Sequence, residues 1–271
     1  MKQLIRATLL RHAPALFYAI SSVRFFQRCK VRYEDIQNHF HREVYGNGRI
    51  GVLSGPFKGM EYYNKIIWGP VTGKWIGCYE EELSGVIREI LGSGYDTLID
   101  VGAAEGYYAV GFAYKLPAAK VISYDIDPIA RRRQRQLAKL NGVGNLEVLK
   151  SCNHEELASR ITGRCFVMTD VEGFELELLD PEKCPALTGC DILVEIHRAA
   201  GMEVSGVENA ISGRFSRTHK ITRFGVAPRD PGSMRRIPGL ETLSADLLLR
   251  AASEDRMPEQ CWLWMKSRQH D

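Results

Sequence analysis

TLIDVGAAEGYY, residues Thr97 to Tyr108, reads as a short buried strand that closes on an acid and turns through two glycines into a helix. The nearly continuous apolar run ending at Asp100 and Val101 suits a parallel strand covered on both faces. Gly102 and Gly106 let the backbone turn tightly and come close to a ligand, because neither carries a Cβ. A nucleotide-like cofactor belongs at such a turn.

Spacing narrows the cofactor. A dinucleotide fingerprint needs glycine at its first, third and sixth places, so that a pyrophosphate can rest on the helix N-terminus. Here those places hold Gly102, Ala104 and Tyr107, and a tyrosine at the last obstructs close helix-to-strand packing. The pattern acid-x-Gly-x-small-x-Gly is met by Asp100, Gly102, Ala104 and Gly106. It resembles motif I of the class I S-adenosylmethionine-dependent methyltransferases. The resemblance implies S-adenosyl-L-methionine held around Asp100, Gly102, Ala103, Ala104, Glu105, Gly106 and Tyr107. The next apolar run, Lys120 to Tyr124, ends on Asp125, 25 residues after Asp100 (125 minus 100). A carboxylate at that strand tip is placed to accept hydrogen bonds from both ribose hydroxyls, with Ile126 beside it in the cofactor-binding set. Asp127 and Pro128 suit the cap of the following helix.

Composition is that of an ordinary globular protein. The 271 residues are enough for one large domain or two small ones, with 45% hydrophobic and 25% charged residues. A net charge of +3 does not call for a nucleic-acid partner, and none is expected. The seven cysteines are scattered and contain no CxxC pair, which predicts neither a disulfide frame nor a zinc site. His39 and His41 form an isolated pair without ligand-spaced partners and read as surface residues. A cytoplasmic location follows from the cysteine usage. Residues Met1 to Lys30 mix arginines with aromatic and aliphatic side chains, but the uncharged piece Ala13 to Val23 is too short to span a bilayer. This segment is expected to pack as a cap, with weak peripheral contact to a membrane surface as the alternative.

Organisation follows from punctuation. Residues 1–75 form an N-terminal cap, where glycines and aromatics from about 45 to 70 predict a β-hairpin or two, and 76–271 form the methyltransferase domain. Helical spacing from Leu83 to Leu91 leads into the cofactor strand. Strands at Leu146 to Leu149, Cys165 to Thr169 and Asp191 to Ile196 then alternate with helices at Ile129 to Leu140, Glu155 to Ile161 and Phe174 to Leu179. A late helix, Ser205 to Phe215, and strands at Lys220 to Phe224 and Gln260 to Met265 complete the pattern. Alternation of this kind predicts an α/β, Rossmann-like class I methyltransferase fold: a mostly parallel seven-stranded sheet with helices on both faces. Arg131, Arg132, Arg133 and Arg135 spread around their helix instead of forming one stripe.

Ligands in an open parallel sheet bind beyond the carboxyl ends of the strands. The fourth strand ends on Asp170, and the fifth carries Glu195 and His197 on one face. MTDVEGFELELLD and DILVEIHR are similar to the closing motifs of the FkbM-like methyltransferases, and GPFKGM with IGCYEEEL looks like their lead-in segment. That resemblance spans roughly residues 50 to 200, departs at Ala104 where the family often has asparagine, and echoes faintly in EDRMPEQCWLWM. It implies an O-methyltransferase acting on a hydroxyl of a sugar or other small metabolite, and brings Tyr79 and Glu80 to the cofactor's methionine end. His197 is the preferred general base, with Asp170 and Glu195 orienting it or sharing a divalent cation such as Mg. Asn153, after the third strand, stands at the level of an adenine ring. A base-modifying enzyme would carry an (Asp/Asn)-Pro-Pro-aromatic motif where this chain has Asp170, Val171, Glu172 and Gly173. The rivals are a non-catalytic protein that keeps the fold for binding, and a methyltransferase acting on a macromolecule.

Overall fold

The central strands of the main sheet are runs of largely aliphatic and β-branched residues that find cover on both faces. The computed structural model describes residues 33–65, 69–199 and 201–270. The basic segment Met1 to Lys30, with its expected membrane contact, lies outside them. Among the described residues no helix is long and apolar enough to cross a membrane.

A small antiparallel hairpin comes first, β1 (Ile50–Gly51) with β2 (Glu61–Tyr62), Ile50 opposite Tyr62. The main sheet holds β3 (Thr97–Val101), β4 (Lys120–Tyr124), β5 (Leu146–Leu149), β6 (Cys165–Thr169), β7 (Asp191–Ile196), β8 (His219–Gly225) and β9 (Cys261–Ser267). Its order is β5-β4-β3-β6-β7-β9-β8; β3 to β7 run parallel, while β9 slots in antiparallel between β7 and β8. This is the Rossmann-like methyltransferase fold. The five parallel strands appear with the bounds their apolar runs predict, because a strand buried on both sides is written in sequence as an unbroken apolar run.

Two apolar layers sandwich the sheet. Leu98, Val121, Phe166, Leu193 and Trp264 face one way, with Ile99, Ile122, Val167, Ile192 and Met265 facing the other. The first layer is covered by residues 33–44 (α1), α2 (Thr72–Ile76), α3 (Ser84–Gly92), α4 (Tyr107–Lys115) and α5 (Pro128–Leu140), the second by α6 (His154–Arg160), α7 (Glu175–Leu178) and α8 (Val204–Phe215). Short helices α9 (Pro231–Met234) and α10 (Ala245–Ala251) close the first layer before β9. Burying side chains of this size is worth about 1.5–3 kcal/mol each. Asp127 caps α5 by accepting from the Ile129 amide at 2.7 Å, with Pro128 at the first helical position.

The hairpin is fastened to the domain by a buried charge pair. Lys74 of α2 bonds the Glu105 carboxylate, which also accepts from the Tyr62 hydroxyl at 3.0 Å. Strand order reverses at β3, which has β4 on one side and β6 on the other, so a crevice opens beyond the carboxyl ends of β3 and β6. Val101 pairs in register with Thr169, which brings the cofactor turn beside Asp170.

Candidate active site

The turn after β3 is built around two glycines in left-handed conformation, Gly102 at φ 89° and Gly106 at φ 95°. A Cβ on Gly102 would stand 1.7 Å from the Asp170 carbonyl oxygen, so only glycine lets the β3 and β6 ends close on each other. The Gly102 and Ala103 amides both donate to the Tyr124 carbonyl, at 2.9 and 3.1 Å. Ala104 takes a left-handed φ of 44°, and its amide donates to Asp125 Oδ2 at 2.9 Å. Asp125 Oδ1 accepts from the Asp127 amide at 2.8 Å. Each Asp125 oxygen therefore keeps acceptor capacity towards a pair of hydroxyls. Burial holds the Asp125 carboxyl up at about 6, against two amide hydrogen bonds that lower it. Ile126 beside it is 45% exposed, an apolar platform for a flat ring. Asn153 serves first as the N-cap of α6, accepting from the Glu156 amide at 2.8 Å, and lines an open cleft of about 440 Å³ with Ser151, Cys152, Glu155 and Glu156.

Two members of the expected set lie elsewhere. The Glu105 side chain is turned away to Lys74 and Tyr62, so it fastens the hairpin and presents no carboxylate to the crevice. Tyr107 is buried among Phe57, Tyr62 and Tyr79, with ring centroids 5.3, 6.4 and 5.4 Å away. The sixth motif position is thus filled by an aromatic that knits the cap to α4.

Acidic groups crowd the floor of the crevice. Asp100 is buried, its Oδ2 has no hydrogen-bond partner among the described residues, and its carboxyl is pushed up to about 8 by burial and by the charges of Asp170 and Asp125. Burial lifts Asp170 to about 7 against the pull of His197. Glu80 sits buried at a left-handed φ of 47°, bonded by the Tyr108 hydroxyl and by Arg256 Nη1 at 2.7 Å. Arg256 Nη2 bonds Glu195. A second arginine, Arg229, joins Glu82 at 3.1 Å to Glu254, whose Oε1 also accepts from the Glu80 amide at 3.0 Å. Residues 254–256 are thereby tied across the crevice to the turn at 80–82.

The imidazole of His197 is oriented by a residue the sequence reading passed over. Its Nδ1 lies 2.7 Å from Oε1 of Glu175, a carboxylate wholly buried at the start of α7. The expectation that Asp170 and Glu195 orient His197 is therefore corrected: His197 Nε2 stands 3.7 Å from Asp170 and 3.9 Å from Glu195, beyond hydrogen-bond length. Burial opposes the imidazolium, but the Glu175 bond and the nearby acids raise the His197 pKa overall. The pairing of Asp170 with Glu195 around a cation is corrected too, because Glu195 is held by Arg256. The sequence signal for Glu175 was an acid opening the helix after β6; Arg256 lay in EDRMPEQCWLWM, with nothing local to say where its guanidinium would reach.

No family model matches the chain. A ribosomal protein L11 methyltransferase of Pelotomaculum thermopropionicum is 32% identical over 119 residues, covering 42% of this chain and 37% of that relative. The chain thus matches well under half of that protein's length. Among solved structures, an rRNA methylase from Streptococcus thermophilus is similar over 67% of this chain and 94% of its own, at 12% identity and a TM-score of 0.41. The ribosomal protein L11 methylase of Lactobacillus delbrueckii subsp. bulgaricus is similar over 66% and 73%, at 17% identity and a TM-score of 0.39. These names overturn one expectation. The expected partner was a small molecule, from the FkbM-like resemblance, with no nucleic acid, from net charge, whereas the relative matched by sequence is named for a ribosomal protein, a macromolecule. Net charge failed as a guide because it averages over a surface and says nothing of the crevice.

Proposed function

We propose that the protein is an S-adenosylmethionine-dependent methyltransferase that works at the crevice beyond β3 and β6. The observation that carries the reading is the pairing of a glycine turn at the end of β3, pressed against the Asp170 backbone, with Asp125 at the tip of the next strand, held by the Ala104 amide of that turn. The residues present fit the cofactor: Asp125 offers acceptors to ribose hydroxyls, Ile126 an apolar face for adenine, and the partnerless Asp100 Oδ2 and buried Glu80 suit its cationic methionine end. When bound, that cofactor supplies an electrophilic methyl on a sulfonium sulfur.

The chain's own part is alignment and proton handling. Glu175 fixes the His197 ring so that Nε2 faces the Asp170 side of the crevice, where an acceptor's proton would be taken. Arg256 holds Glu80 and Glu195 in place, one terminal nitrogen to each carboxylate. The finer reading, oxygen as the acceptor atom in the manner of the FkbM-like enzymes, is supported by the closing motifs and by this imidazole among carboxylates. An acceptor group carried on a macromolecule is supported by the names of the relatives.

The test is ligand-dependent stability and transfer. S-adenosylmethionine or S-adenosylhomocysteine should raise the melting temperature while NAD does not, and radiolabelled methyl should pass to ribosomal RNA or ribosomal protein fractions. Stabilisation by NAD alone would overturn the proposal.

A further inference from the structure

Asp170, Glu172 and His197 each turn one donor atom towards a shared point, with no two of the three atoms more than 4.8 Å apart. Acidic side chains gather on many protein surfaces without meaning, and what distinguishes this group is the state of the imidazole and of Asp170. Because Glu175 takes the Nδ1 position, the other ring nitrogen presents itself to Asp170 Oδ1 at 3.7 Å and to Glu172 Oε2 at 3.7 Å. Those separations are too long for hydrogen bonds. They suit donors around one ion: with bonds of about 2.1–2.2 Å, neighbouring ligand atoms lie roughly 3 Å apart and opposite ones over 4 Å.

Asp170 adds an independent sign. Its Oδ1, the atom that faces the imidazole, is shut off from solvent and has no hydrogen-bond partner among the described residues. A buried carboxylate oxygen left alone is costly, and such orphans call for a partner. The side chains of His197, Asp170 and Glu172 are 13%, 34% and 84% exposed, so only Oδ1 of Asp170 is shut away and the group opens to solvent on one side. A histidine backed by a buried carboxylate on its far nitrogen is also the arrangement that fixes tautomer and ring angle in metal centres.

We propose that Asp170 Oδ1, Glu172 Oε2 and His197 Nε2 form a binding site for a divalent cation of the Mn²⁺ class. One imidazole and two carboxylates suit such an ion better than Ca²⁺, which prefers oxygen alone, or structural zinc, which prefers thiolate-rich tetrahedra. Glu195 is excluded as a ligand by its bond to Arg256. The site stands on direct binding, independent of methyl transfer; only its use, lowering the pKa of an acceptor oxygen, rests on the reading above. With the ion seated, His197 is a ligand and no longer takes the acceptor's proton.

The full chain, stripped with chelator, is titrated with MnCl₂ while free Mn²⁺ is followed by electron paramagnetic resonance. One saturable site per chain is expected, weakened about tenfold or more by Glu172→Gln, an exposed change that leaves the fold intact. Imidazole nitrogen coupling should be present in bound Mn²⁺ and absent in His197→Gln. No saturable binding, or equal affinity in Glu172→Gln, overturns the site. S-adenosylmethionine binding by the same preparation without Mn²⁺ binding would overturn the site alone and leave the methyl-transfer reading standing.

Discussion

Gly102→Ala isolates the close approach on which the cofactor turn depends. At φ 89° any residue with a Cβ is strained, by about 1–2 kcal/mol. Its Cβ would also stand 1.7 Å from the Asp170 carbonyl oxygen and 2.6 Å from the carbonyl carbon. Both obstacles are backbone, so the turn and the end of β6 must part, and overpacking of that kind adds about 1–3 kcal/mol. The sum, about 2–5 kcal/mol, corresponds to a melting-temperature loss of roughly 5–15 °C for a chain of this size. Gly142→Ala is the matched control: its φ is 63°, but nothing lies within 4 Å of the added Cβ, leaving only the strain. Urea unfolding of both variants should show Gly102→Ala losing at least about 1 kcal/mol more than Gly142→Ala. Calorimetric titration with S-adenosylmethionine should show binding kept by Gly142→Ala and lost by Gly102→Ala. Equal stability losses, with binding kept in both, would refute the reasoning.

Other outcomes follow from the buried charges. Arg256→Met strands Glu80 and Glu195 without their guanidinium, and breaking a buried pair in this way should destabilise by about 3–5 kcal/mol; adding Glu195→Gln should recover part of that, and no recovery in the double variant would show that the pair is uncoupled. Asp100, raised to about 8 against about 3.9 in an unfolded chain, keeps its proton longer when folded. Unfolding therefore releases a proton across that window, and stability falls as pH rises through it. Asp100→Asn should accordingly melt close to the parent near pH 4 and above it at pH 8, and a difference that does not change with pH would rule out the raised carboxyl.

The parallel half of the sheet was legible because its inner strands are covered on both faces and so carry near-continuous apolar runs, from TLIDV to DILVEI. Asp100, Gly102, Asp125 and Asp170 were legible for a related reason, since they sit where those runs stop and the backbone must turn. Position along a motif did not reveal which way a side chain faces. Glu105 and Tyr107 occupy cofactor-motif places yet point into the cap, because Lys74 and Phe57 arrive there from distant sequence. Arg256 and Glu175 were missed for the complementary reason: their partners lie 176, 61 and 22 residues away, and nothing local records such pairings. The short α2, α9 and α10 carry too few turns to leave a periodic trace.

The arginine ties between residues 80–82 and 254–256 also set an order of completion during synthesis. The glycine turn, Asp125 and Asp170 emerge from the ribosome long before Arg256, and until it arrives Glu80 and Glu195 have no guanidinium between them. Closure of the site is thus tied to the last strand of the sheet, since β9 pairs with both β7 and β8 and the residues that precede it carry Arg256.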